Sequence, residues 1–125
     1  AVWDFKYSDL PNYGSNGLQF SLPANTTIVS AKLYVDVAFT STSTTTDLDV
    51  GLYTAAGAAI AASGLISASE ATQTAIGTAG NVVTGAGSLI GKTIGGTAGE
   101  LVVTPTVADL TAGQGRIVVE YVYDK

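Results

Sequence analysis

Hydrophobic and polar positions alternate along much of the chain, and the clearest case is Thr27–Thr40, TIVSAKLYVDVAFT. Its odd positions are Val29, Ala31, Leu33, Val35, Val37 and Phe39; its even positions include Ser30, Lys32, Tyr34, Asp36 and Thr40. Successive strand side chains point to opposite faces, so the pattern predicts a long strand with one face in a core. Arg116–Tyr123 predicts a second long strand, with Ile117, Val119, Tyr121 and Tyr123 on one face. Its other face, Arg116, Val118, Glu120 and Val122, is half apolar, which places the strand between two covered surfaces.

Shorter alternations predict further strands at Val2–Tyr7, Gly17–Leu22, Asp47–Tyr53, Ala58–Ile66, Val82–Thr84, Ser88–Ile94 and Glu100–Pro105. In the first, Trp3, Phe5 and Tyr7 form the face to be buried. The polar link STSTTT (Ser41–Thr46) between two alternating runs predicts that the long strand and Asp47–Tyr53 pair antiparallel. Asp9–Gly17 (DLPNYGSNG) and Val107–Gly113 (VADLTAG) carry turn residues. Ser67–Ile76 has a serine positioned to cap two helical turns, but its threonines and the bracketing Gly77 and Gly80 favour loop or strand. About eight short strands spaced by turns predict an all-β fold, an antiparallel β-sandwich of jelly-roll type. A chain of 125 residues without repeats or linkers is expected to be one domain, 1–125.

Composition narrows the function classes. Alanine, glycine, serine and threonine make up nearly half the chain and charged residues 12%, about half the usual quarter. Net charge is −5, and the five basic residues, Lys6, Lys32, Lys92, Arg116 and Lys125, form no cluster in sequence. That argues against nucleic acid and against an anionic membrane surface. No apolar run reaches the roughly 18 residues of a membrane-spanning helix. The opening AVWDFKYSD lacks the basic and apolar regions of a signal peptide. Methionine is absent even at position 1, so either initiator removal before Ala1 or processing is expected.

Candidate chemistry is sparse. With no histidine and no cysteine, the usual nucleophile systems and nearly all zinc sites are excluded. No catalytic residue and no cofactor is expected, and a glycosidase would need a cleft lined by aromatics. Ala86–Thr93, AGSLIGKT, fits a relaxed phosphate-loop pattern, but the following IGGTAG cannot propagate the helix such a site requires. Asp36, Asp47 and Asp49 could converge on a cation if their strands were neighbours; the plainer reading is a solvated sheet face, or pairing with Lys32. Asn25-Thr26-Thr27 matches a glycosylation acceptor, which has meaning only in a secreted eukaryotic protein.

So few charges, with so many alanines and β-branched residues, must leave apolar surface outside the core. Such surface points to assembly with other chains. Interface candidates are Trp3, Phe5, Tyr7, Tyr34 and Tyr53, because tryptophan and tyrosine are enriched in interface hot spots. Trp3 and Phe5 compete for a place in the core.

Three stretches, LPANTTIVSAKLYVDVAFTS (Leu22–Ser41), TDLDVGLY (Thr46–Tyr53) and LTAGQGRIVVEYVY (Leu110–Tyr123), together resemble small virion structural proteins of tailed bacteriophages, of the capsid decoration (cement) or head-fibre type. The resemblance implies a jelly-roll or related sandwich on the outer surface of a phage head. It also implies a homo-oligomer, often a trimer, that clamps the major capsid protein. It carries over no functional residue. Thr54–Gly80 matches nothing in that pattern, and a docking or host-facing loop is expected there or in Ser8–Gly17. Two other classes stay open: a receptor- or glycan-binding module, which would need clustered exposed aromatics, and a subunit of an open-ended surface layer or filament.

Overall fold

The computed structural model describes residues 2–9, 18–43, 46–54, 58–106 and 108–123, with 18–20 and 123 described by backbone alone. The strands are β1 (Val2–Lys6), β2 (Leu18–Leu22), β3 (Thr26–Ser41), β4 (Asp47–Tyr53), β5 (Ala59–Ile66), β6 (Val82–Thr84), β7 (Gly99–Thr106) and β8 (Leu110–Tyr123). A single 3₁₀ turn, Tyr7–Asp9, follows β1, and a one-turn helix α1 (Gln73–Ile76) lies between β5 and β6.

Two antiparallel four-stranded sheets result, in the orders β1-β8-β3-β6 and β2-β7-β4-β5. The pairs β1/β8, β2/β7, β3/β6 and β4/β5 are those of one long hairpin turning between β4 and β5. Rolling that hairpin over brings β8 onto β3 and β7 onto β4. This is a jelly roll, and the expected sandwich is present. One expectation fails: β3 and β4 are not neighbours, because the polar link between them crosses from one sheet to the other. A short polar connection serves a crossover as well as a hairpin.

The core lies between the sheets, with Phe5, Leu33, Phe39, Leu52, Leu101 and Ile117 among its largest buried side chains. Along β3 the alternation is interrupted twice. Ile28, Ala31, Leu33, Val35 and Phe39 are buried, whereas Val29 and Val37 are 51% and 49% exposed. Register shifts between Ile28 and Ser30, and again beyond Val35, turn these two valines outward. The uninterrupted inward face expected from the sequence is corrected accordingly.

β8 begins at Leu110, not Arg116, and its early part pairs with β3 where a turn was expected. Gly113 and Gly115 explain the missing pattern. A Cβ on Gly113 would collide with the Phe39 ring, and one on Gly115 would meet Tyr34 O at 2.8 Å and Phe39 Cε2 at 3.3 Å. The glycines make room for Phe39, which stacks on Phe5 at 5.5 Å between ring centroids; Phe5 stacks on Trp3 at 4.7 Å. Gly51 does similar service in β4, where the Ala61 and Ala62 carbonyls pass directly over it and bulge β5.

Ser88–Ile94, expected as a strand, is a series of turns. Glycines at 85, 87, 91, 95 and 96 break any regular ladder. The segment still satisfies the outer edge of β3: Gly91 N donates to Ile28 O, Ile28 N to Lys92 O, and Ile94 N to Thr26 O. Further along, Gly85 N donates to Ala31 O and Val35 N to Asn81 O, so this edge is closed from Thr26 to Val35.

Candidate interaction surfaces

The predicted interface residues fall into three environments. Phe5 is 1% exposed and belongs to the core; Trp3 is half-buried and packs against it. Tyr7 is 40% exposed on the 3₁₀ turn, which is held by Lys6 N donating to Asp9 Oδ2 at 2.8 Å. Tyr34, on β3, and Tyr53, on β4, are half-buried in opposite sheets. The five residues therefore form no common patch. Ser8–Gly17 lies for the most part outside the described residues.

Nor do the three aspartates converge. Asp36 is on β3 in one sheet, Asp47 and Asp49 on β4 in the other. Among the described residues no cluster of acidic side chains could hold a metal ion. Lys32 does not reach Asp47 or Asp49 either, being in the other sheet. Residues 86–93 open no helix, so they lack the amide cradle of a phosphate loop.

Asp47 and Asp49 instead hold the unplaced middle of the chain. β5 ends at Ile66, opposite Val50. Beyond it the chain continues beside β4 as an irregular strap. Asp49 Oδ1 accepts from Ser63 Oγ at 2.7 Å and from Ala68 N at 2.9 Å. Leu48 N donates to Ala71 O, Asp47 Oδ1 accepts from Gln73 N, and Thr46 N donates to Gln73 Oε1. Where loop or strand was favoured the chain makes the single helical turn α1, capped not by the candidate serine but by Thr72, which accepts from Ala75 N. Ser67 N and Oγ donate to Glu70 Oε1 in the preceding turn. Ala71 and Ile76, both fully buried, fasten the strap to the core. Tyr53 lies at the other end of β4; burial, and then the nearby Asp49 charge, raise its hydroxyl above the usual tyrosine range.

The surface that sequence reasoning missed is the outer face of β1-β8-β3-β6. In register, one row across it is Val2–Val118–Lys32–Thr84 and the next but one is Asp4–Arg116–Tyr34–Val82. Val2, Val122 and Val82 on this face are 64%, 61% and 48% exposed. The Arg116, Val118, Glu120, Val122 face of β8, expected to be covered, is open in the single chain. Its half-apolar character was the available signal. At its centre Arg116 donates twice to Asp36, at 3.1 and 3.2 Å, and stacks over the Tyr34 ring at 5.1 Å.

No family model and no curated protein matches the chain. A solved structure does. One chain of the capsid of Ralstonia phage GP4 is similar in fold. The TM-score is 0.62 at 22% identity, covering 100% of this chain and 84% of that one. At that identity the likeness establishes the fold, and a shared fold alone does not assign an activity.

Proposed function

We propose that the protein is a non-enzymatic structural component of a phage virion, a decoration protein bound to the outside of the head. The observation that carries this reading is the match in fold over the whole chain to a chain of a phage capsid. The segments that carry the resemblance to decoration proteins, Leu22–Ser41, Thr46–Tyr53 and Leu110–Tyr123, hold β3, β4 and β8, three of the four strands at the middle of the two sheets.

The mechanism is passive. A protein that binds the expanded lattice and not its precursor stabilises the expanded form by its binding free energy, through mass action. At a free concentration 100 times the dissociation constant the gain is about 2.7 kcal/mol per site. Self-association into a trimer, with major capsid protein as the other partner, would place several binding surfaces on one clamp and raise avidity without new contacts. A glycan-binding reading finds no support in Tyr34 and Tyr53, which stand in opposite sheets.

The test uses heads of the phage whose genome encodes the chain, prepared without it. Purified protein is added to expanded and unexpanded heads, which are then pelleted. Saturable binding to expanded heads, with a raised disruption temperature, supports the proposal. Heads that pellet without the protein contradict it.

A further inference from the structure

We infer that the outer face of β1-β8-β3-β6 is the surface on which one copy of this chain meets another. The inference rests on the proposed self-association and deepens it by naming the surface; a face that meets its own copy closes on a two-fold axis, so the oligomer it implies is a dimer in place of the trimer.

Charge distribution carries it first. The face bears Lys6, Lys32 and Arg116 against Asp4, Asp36 and Glu120, and so is neutral. Of the other charged side chains among the described residues one, Lys92, is basic and six are acidic, so a charge of −5 lies outside this face. Two identical acidic bodies repel at most orientations. A neutral face with interspersed signs is where they can meet, each sign finding its opposite on the other copy.

Apolar content carries it second. Val2, Val37, Val82 and Val122 are each about half exposed or more, and all lie on this face. The paired length of β3 and β8 with the flanking strands gives on the order of 500 Å² of flat area, against the ~800 Å² of accessible surface per partner in a standard interface. The Asp36–Arg116–Tyr34 group at its centre is already ordered, so little side-chain freedom is left to lose on binding. Arginine and tyrosine are also residue types that dominate hot spots. Arg116 keeps its carboxylate partner when water is excluded, and no unpaired guanidinium results.

The experiment is sedimentation velocity over a dilution series on the wild type, Val122→Lys, Val82→Lys and, as control on the opposite sheet, Ala59→Lys. The expected result is an oligomer whose dissociation constant rises at least tenfold in each valine variant and is unchanged in the control. Because the chain has no cysteine, Val122→Cys and Ala59→Cys each provide a single labelling site. Spin labels at Val122→Cys should lie closer between copies than those at Ala59→Cys. Valine variants that assemble like wild type, the reverse order of label distances, or a wild type monomeric at every dilution would each overturn the inference. Head binding, read on the same preparations, separates the two proposals: a monomer that binds heads refutes this surface and leaves decoration standing, and an oligomer that ignores heads does the opposite.

Discussion

Substituting Gly113 by alanine probes how β8 is fitted over the core. Gly113 has φ 130° and is buried against Phe39. An L-residue at that φ is strained by about 1–3 kcal/mol. The new methyl group would also meet the Phe39 ring and its Cα, and overpacking of this kind costs about 1–3 kcal/mol. Phe39 cannot yield freely, because its ring stacks on Phe5, which stacks in turn on Trp3. The combined loss is about 2–6 kcal/mol, a large part of the ~5–15 kcal/mol that holds an average domain together. For a chain of this size the melting temperature should fall by roughly 8 °C or more. Urea denaturation should show a lowered midpoint with unchanged slope, since the surface exposed on unfolding is the same. Gly96→Ala is the control: no atom lies within 4 Å of the place its new methyl group would take, and its φ is not positive, so it should stay within about 0.5 kcal/mol of wild type. A Gly113→Ala protein less than about 1 kcal/mol below wild type would refute the account of why β8 has glycine there.

Three further outcomes follow from the same geometry. Phe5→Ala, which removes the middle ring of the stack, should destabilise by about 3–5 kcal/mol in chemical denaturation. Asp49→Ala removes the acceptor for Ser63 Oγ and Ala68 N; a cost of about 1–3 kcal/mol is expected, with faster amide exchange at Ala68 than in β3. The raised hydroxyl of Tyr53 means the folded state keeps that proton where the unfolded chain loses it. Stability is therefore intact below about pH 10 and lost as pH rises through the folded value. Tyr53→Phe should lessen that alkaline loss in pH-dependent melting.

Fold class was legible because the central strands β3, β4 and most of β8 are solvated on one face and buried on the other, and alternation reports that difference directly. Leu48, Val50 and Leu52 are fully buried as their spacing predicts. Alternation could not report the bulges at Val29 and Val37, since a single extra residue changes face without changing composition. It also failed for Gly113 and Gly115, whose buried positions are filled by Phe39 from the neighbouring strand. The polar link after β3 does not encode which sheet the next strand joins; rolling of the long hairpin decides that. Residues 88–94 are apolar enough to suggest a strand, but they pair with β3 through turns whose hydrogen bonds leave no period in the sequence. Aromatic residues drew attention to Trp3 and Phe5, which serve the core. The outer face is defined by Val2, Val82, Val122 and Arg116, which gather only when four strands are laid side by side.

Electron cryomicroscopy of heads prepared with and without the protein tests the central claim most directly. On the proposed decoration role, expanded heads of the phage that would encode the chain should acquire, on their outer surface and at the contacts between neighbouring capsomers, extra density that accommodates this jelly roll. Heads incubated with a saturating excess that look the same as untreated heads would contradict the account.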